Sequence, residues 1–209
     1  MERKKEQFRA VLQRYLPPAF IEIVVDLLVR NNVRFRVVKP RKTKLGDFRA
    51  SSKMECPQIT INGDLNPYSF LITTLHEFAH LHTFLEFGQH VAPHGQEWKQ
   101  HYRMLIRPLT TSPHLPKDIR NALITSLSRT KASSCTDQQL HRVLLAYNTS
   151  EETLIPLERL EKNSIFALNG KRFKRGRLRR TRYLCVDLDN GREYLVNTLA
   201  LVELIEHGK

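Results

Sequence analysis

From Tyr68 to Phe87 the chain carries neither proline nor glycine, and in the middle of that stretch stands His76-Glu77-Phe78-Ala79-His80. Residues four apart stack on one face of an α-helix, so a helix here points both imidazoles at one ion. Glu77 lies one position round, close enough to hydrogen-bond a water on that ion. The helix itself is well signalled. Phe70, Leu71, Thr74, Leu75, Phe78, Leu81 and Leu85 recur at spacings of three and four. Asn66 reads as the N-cap, Pro67 as the first helical residue and Gly88 as the stop. A catalytic zinc takes three protein ligands and keeps a fourth position for water, whose pKa falls from about 15.7 to roughly 7. A carboxylate beside it then takes the proton. The candidate ligands are therefore His76 and His80, with Glu77 as candidate base and one zinc ion as the expected cofactor.

A third ligand is required. The candidate is His94, in Pro93-His94-Gly95-Gln96-Glu97-Trp98, after a short loop and at the start of a second helix expected over 94–107. Glu97 is an alternative ligand, or a partner of backbone amides at that helix's start. Trp98 and Phe78 read as core. His82, His90, His101 and His114 read as surface or satisfied polar groups.

HEFAHLH, a loop ending VAPHG, then QEWK resembles the SprT-like metalloprotease family, which includes bacterial SprT proteins and the Spartan protease of animals. The resemblance extends back through LGDFRA and ITINGDLNPYSFLITTL, and spans roughly residues 20–107. It implies zinc on His76, His80 and His94, Glu77 as catalytic base, and a short sheet ahead of the site helix that helps form its cleft. Spartan-type members cleave proteins crosslinked to DNA. A protein substrate and DNA are thus the implied partners. Several members carry a cysteine-rich zinc ribbon after the protease domain. This chain has only Cys185 in that region, so a second zinc is not expected.

Charge agrees independently with a polyanionic partner. The net charge is +13 and the pI near 10.0. Residues 30–53 hold nine basic residues and one acid, with Arg41, Lys42 and Lys44 in the loop of the small sheet. The segment 171–182 holds eight basic residues of twelve: Lys171, Arg172, Lys174, Arg175, Arg177, Arg179, Arg180 and Arg182. Phe173 and Tyr183 flank them. These eleven are the candidate nucleic-acid contacts, since basic residues near aromatics suit phosphate binding and base stacking. The bland alternative is a strand edge kept soluble by charge.

No apolar run approaches the roughly 20 residues a membrane helix needs, and MERKKEQF lacks the apolar core of a secretion signal. Cys56, Cys135 and Cys185 are far apart and form no C-x-x-C pair. A cytoplasmic protein is expected, nucleoid-associated if it binds DNA, with no membrane partner.

In chain order, Pro17-Pro18 separates two helices, 3–15 and 18–31. Three short strands follow within 33–63, the first marked by the alternation of VRFRVVK. Pro108, Pro113 and Pro116 mark a break after the second site helix. Lys117–Leu127 and Thr136–Tyr147 read as helices, the latter capped by Asp137 or Thr136, with SLSRTKASSCTD as a linker between them. Asn169-Gly170, Gly176 and Asn190-Gly191 separate short strands, and Asn-Gly is a strong hairpin signal. A helix over about 198–206 is expected to close the chain. The fold class is α+β: a zincin-like helical metalloprotease domain with a small antiparallel sheet over 1–130, then a linker, a helix and a small basic β-hairpin unit over 131–209. Three functions stand against one another. One is a zinc-dependent endopeptidase acting on DNA-bound or DNA-crosslinked proteins. The second is a nucleic-acid-binding protein with a structural or inactive zinc site. The third is a zinc hydrolase acting on nucleic acid itself, against which Glu77 argues, because it supplies the proton that a departing amine needs.

Overall fold

A helix, α3 (Pro67–Phe87), forms the spine of the first of two compact units, Met1–Thr149 and Ser150–Lys209. The structure is a computed structural model and describes residues 2–41, 43–50, 55–128, 137–148 and 154–208. Lys42, Lys53, Cys135 and most of the expected linker lie outside the described residues.

α3 starts where its capping residues say it should. The Asn66 side chain accepts from the Ser69 N–H at 2.9 Å, Pro67 occupies the first turn, and Gly88, at φ 69°, ends the helix. From Phe70 to Ala79 every residue is buried. Burial therefore extends beyond the apolar face expected from the sequence to Thr73, Thr74, His76 and Glu77, although Leu85 departs from that face at 61% exposed. Around α3 pack α1 (Glu2–Leu12), α2 (Ile21–Arg30), α4 (Gln96–Thr111), α5 (Lys117–Ser128) and α6 (Gln138–Leu145). The strands β1 (Arg34–Val38), β2 (Gly46–Arg49) and β3 (Gln58–Asn62) complete this core. The sheet order is β1-β3-β2, with β1 parallel and β2 antiparallel to β3. The sheet is mixed, where an antiparallel one was expected, because β1 and β3 are joined by a chain long enough to cross over. β2 is an edge strand and lies against α3.

Two boundaries differ from expectation. α4 runs to Thr111 with Pro108 inside it. The carbonyl that Pro108 leaves without a donor belongs to Met104, which is 56% exposed and within reach of water. α6 belongs with the first unit and not with the strands that follow. Leu140 and Leu144 join the first core, and the Asn66 Nδ2–H donates to the Leu144 carbonyl at 2.9 Å. Asp137 caps α6, accepting from Gln139 and Leu140.

The second unit is one six-stranded antiparallel sheet in the order β4-β9-β5-β6-β7-β8. Its strands are β4 (Leu154–Pro156), β5 (Ile165–Leu168), β6 (Lys171–Arg179), β7 (Arg182–Asp187), β8 (Glu193–Asn197) and β9 (Leu201–Glu206). One face buries Leu157, Phe166, Phe173, Tyr183, Cys185, Val196 and Val202. The closing segment, expected as a helix, is the strand β9, held between β4 and β5. Two partner strands outweigh the weak helical spacing of Leu201-Val202-Glu203-Leu204-Ile205. Asn169 and Gly170, at φ 53° and 76°, make the β5–β6 turn. Gly176, expected to separate strands, lies inside β6 at a bulge. There the backbone passes so close to the Leu184 carbonyl that a Cβ would collide with it. The turn itself falls at Arg180, φ 54°, and Thr181.

Candidate metal centre

α3 presents His76 and His80 on one face, and the loop after Gly88 folds His94 back to meet them. The Nε2 atoms stand 3.2 Å (His76–His80), 3.0 Å (His80–His94) and 3.1 Å (His76–His94) apart. Three lone pairs thus converge on one point, and the trio is the one group among the described residues that could hold a metal ion. Glu97 is not part of it.

The centre is built from beneath by Trp98, 1% exposed, at the first turn of α4. Its ring lies 4.7 Å from that of His76, 5.4 Å from His80 and 4.7 Å from His94, and stacks on Tyr102 at 4.8 Å. Phe48 of β2 stacks on the outer side of His80 at 6.3 Å, with 9° between the planes. His80 is therefore held between Phe48 and Trp98, while His76 and His94 rest on Trp98. His94 adopts the left-handed backbone region, φ 61°. That conformation costs a non-glycine residue on the order of 1–2 kcal/mol, so the loop sacrifices stability to aim this imidazole inward.

Burial sets the charge state. It pushes His76 down to about 2, with repulsion from His80 and His94 adding to it. It pushes His80 down to about 4, again with His94 contributing. His94 is lowered by burial and by Lys99. All three rings are neutral near pH 7, the form that binds a metal.

Glu77 is 5% exposed, and burial raises its carboxyl to about 8, with the charge of Asp47 adding. The Phe48 backbone N–H donates to it and opposes the rise. The burial of Asp47 also opposes ionisation, but hydrogen bonds from Lys44 and Arg49 outweigh it and hold that carboxyl low. The strand that covers Glu77 needs glycine. A Cβ on Gly46 would meet Glu77 Oε1 at 2.6 Å and Thr73 Cγ2 at 2.7 Å.

The remaining predicted residues divide. Arg41 donates to the Asn62 side chain at 2.9 Å and to Thr60 Oγ1 at 3.0 Å, and so braces β3. Lys44 pairs with Asp47 at 2.6 Å. Lys171 and Arg172 reach Asp187 and Asp189, each at 3.4 Å. Arg175 lies 3.7 Å over the Tyr183 ring. Lys174, Arg177, Arg179, Arg180 and Arg182 are exposed, with no ion pair among the described residues. His101, read from sequence as surface or satisfied, is 8% exposed, and its Nε2 faces Glu86 at 3.0 Å.

An α+β unit with an H-E-x-x-H helix and a third histidine from the next loop defines a candidate metalloprotein of the histidine-triad kind. Residues 21–121, just under half of the chain, match the SprT-like family. No curated protein and no solved structure matches it. No helix among the described residues is long and apolar enough to cross a membrane.

Proposed function

We propose that the first unit is a zincin-like, zinc-dependent endopeptidase. The reading rests on one observation: three neutral imidazoles, that of His76 buried and those of His80 and His94 half-buried, whose Nε2 atoms lie 3.0–3.2 Å apart, with the buried Glu77 next to His76 in the chain. Nitrogens bound to a tetrahedral zinc at about 2.0–2.1 Å are separated by roughly 3.3 Å, so the spacing fits that ion. An all-imidazole set also suits copper, iron and nickel; three ligands and an open position favour catalytic zinc.

Zinc held by His76, His80 and His94 would supply Lewis acidity, acidifying a water and polarising the scissile carbonyl. Glu77 takes the proton from the attacking water and returns it to the departing amine nitrogen. Its buried carboxyl favours the neutral acid that this second transfer requires, while a nearby cation restores the carboxylate that the first requires. Phe48 orients Glu77 through its backbone N–H. As an edge strand, β2 offers an extended peptide a partner for backbone pairing.

The substrate class we propose is protein bound or crosslinked to DNA. The net charge of +13 supports it, as do the five exposed basic residues of β6, β7 and their turn that have no ion pair among the described residues. Those five carry the proposed phosphate contacts, with Lys171, Arg172 and Arg175 beside them. Arg41 and Lys44 would have to exchange internal partners to take part. The same five residues favour the second reading, a nucleic-acid-binding protein with a structural metal.

One experiment separates the readings. Purified, zinc-loaded protein is incubated with a DNA-bound protein, and both components are read on gels. The endopeptidase cuts the protein and leaves the DNA intact. Binding without any cut favours the second reading, and cut DNA would indicate phosphodiester chemistry. A protease with this role acts in the cytoplasm, on the nucleoid.

A further inference from the structure

His80 and His94 also line a groove of about 590 Å³, on the side of their rings that β2 and the loop 88–94 enclose. Phe48 forms one wall, Phe84 and Thr83 of α3 the base, and Val91, Ala92 and Pro93 the other wall. Phe48 and Phe84 meet at 5.9 Å, so base and wall are continuous aromatic surface. Among the described residues Arg49 is the one fully charged side chain on the lining, and Asp47 holds its guanidinium at 2.6 Å. No carboxylate among them faces the groove to receive a lysine or arginine side chain.

The strand gives the groove a direction. β2 runs along α3 in the same sense. Its first residue, Gly46, lies against Glu77; Phe48 lies against His80; beyond its end, Ala50 accepts from Gln89 at 3.5 Å. An added strand pairs somewhat better antiparallel than parallel. A peptide on the free edge of β2 then runs the opposite way, and its N-terminal part lies at the Ala50 end, over the groove.

We propose that this groove is a specificity pocket for a large apolar side chain, aromatic or long aliphatic, within the two residues that precede the scissile bond. This rests on the endopeptidase reading, and deepens it by naming what the site selects in a protein substrate. Basic segments that contact DNA would then be spared, and cuts would fall at apolar positions exposed when a bound protein is partly unfolded. Selection by an apolar pocket amounts to roughly 10–200-fold per group added or removed.

Binding and cleavage can be read separately. Trp98 is the chain's one tryptophan and lines the groove, so its emission reports occupancy. Zinc-loaded Glu77→Gln protein is titrated with two peptides that differ only in Phe or Lys within the two residues before the central bond. The Phe peptide is expected to bind at least tenfold tighter. Ala92→Trp, which fills the groove from an exposed loop position, is expected to erase that difference when its added tryptophan is allowed for by reading peptide anisotropy instead. The wild type should cut the Phe peptide faster by a similar factor. Equal affinities, or a preference that survives Ala92→Trp, would overturn the pocket. Selective binding with no cleavage of either peptide by the wild type would leave the pocket standing and overturn the endopeptidase reading.

Discussion

The metal centre and the β6–β7 hairpin handle charge in opposite ways. At the centre, burial keeps three histidines neutral and raises a carboxyl to about 8. On the hairpin, five basic side chains stand in water with no ion pair among the described residues. The centre therefore depends on packing, and each atom matters: Trp98 beneath, Phe48 beside, Gly46 above. The hairpin depends on composition, and its charges act as a sum. Substitutions should be steep and non-additive in the first region, shallow and salt-dependent in the second.

The steepest expected effect is on catalysis. Glu77→Gln should retain zinc and lower peptide cleavage by roughly 10²–10⁴-fold, measured as kcat/KM on a protein substrate. Unchanged cleavage would remove Glu77 from the mechanism.

Next comes the pH dependence of the metal-free protein. His76 and His80 titrate at about 2 and about 4 when folded, against 6.5 when unfolded. On acidification the unfolded chain binds protons first, so stability falls as pH drops below 6.5. Glu77 has the opposite sign. Folded, it holds its proton up to about 8; unfolded, it loses it at 4.5, so it removes stability as pH rises between those values. Urea unfolding in chelator should give an optimum near pH 6.5. Glu77→Gln should flatten the limb between pH 6.5 and 8 and leave the acid limb in place.

Gly46→Ala forces a Cβ against Glu77 and Thr73. It should cost about 1–3 kcal/mol and reduce activity at the same time. The contrasting position is Gly170, at φ 76° with nothing within 4 Å. There Ala should cost only the backbone strain, about 1 kcal/mol, with no change in cleavage of a free peptide. Equal losses of activity at both glycines would mean that Gly46 acts through stability alone.

The smallest effect on the fold belongs to the hairpin. Replacing Arg179, Arg180 and Arg182 with Ala should leave unfolding within about 0.5 kcal/mol of wild type. Duplex DNA affinity should fall, and its salt slope should shrink by about 0.9 for each phosphate no longer neutralised. An unchanged slope would place the DNA-binding residues elsewhere.

The sequence was most readable where local chemistry decides the structure. Asn66, Pro67 and Gly88 bound α3, and the two histidines four apart needed only a helix to converge. Asn169-Gly170 made the turn that its φ values require. Features that depend on distant strands were not readable. Leu201–Glu206 became a strand because two partners were waiting for it. The need for glycine at position 46 arises only when β2 is laid over Glu77, and nothing in LGDFRA announces that approach. Arg41 and Lys44 looked free in a basic stretch, yet Thr60, Asn62 and Asp47 take up their donors. Composition counts charges and does not say which are already paired.

Metal content tests the central claim most directly. Protein loaded with equimolar zinc and dialysed should retain one ion per chain by elemental analysis, while His94→Ala, still folded by circular dichroism, should retain none. A folded wild type that holds no zinc, or a His94→Ala protein that holds as much as wild type, would contradict the account.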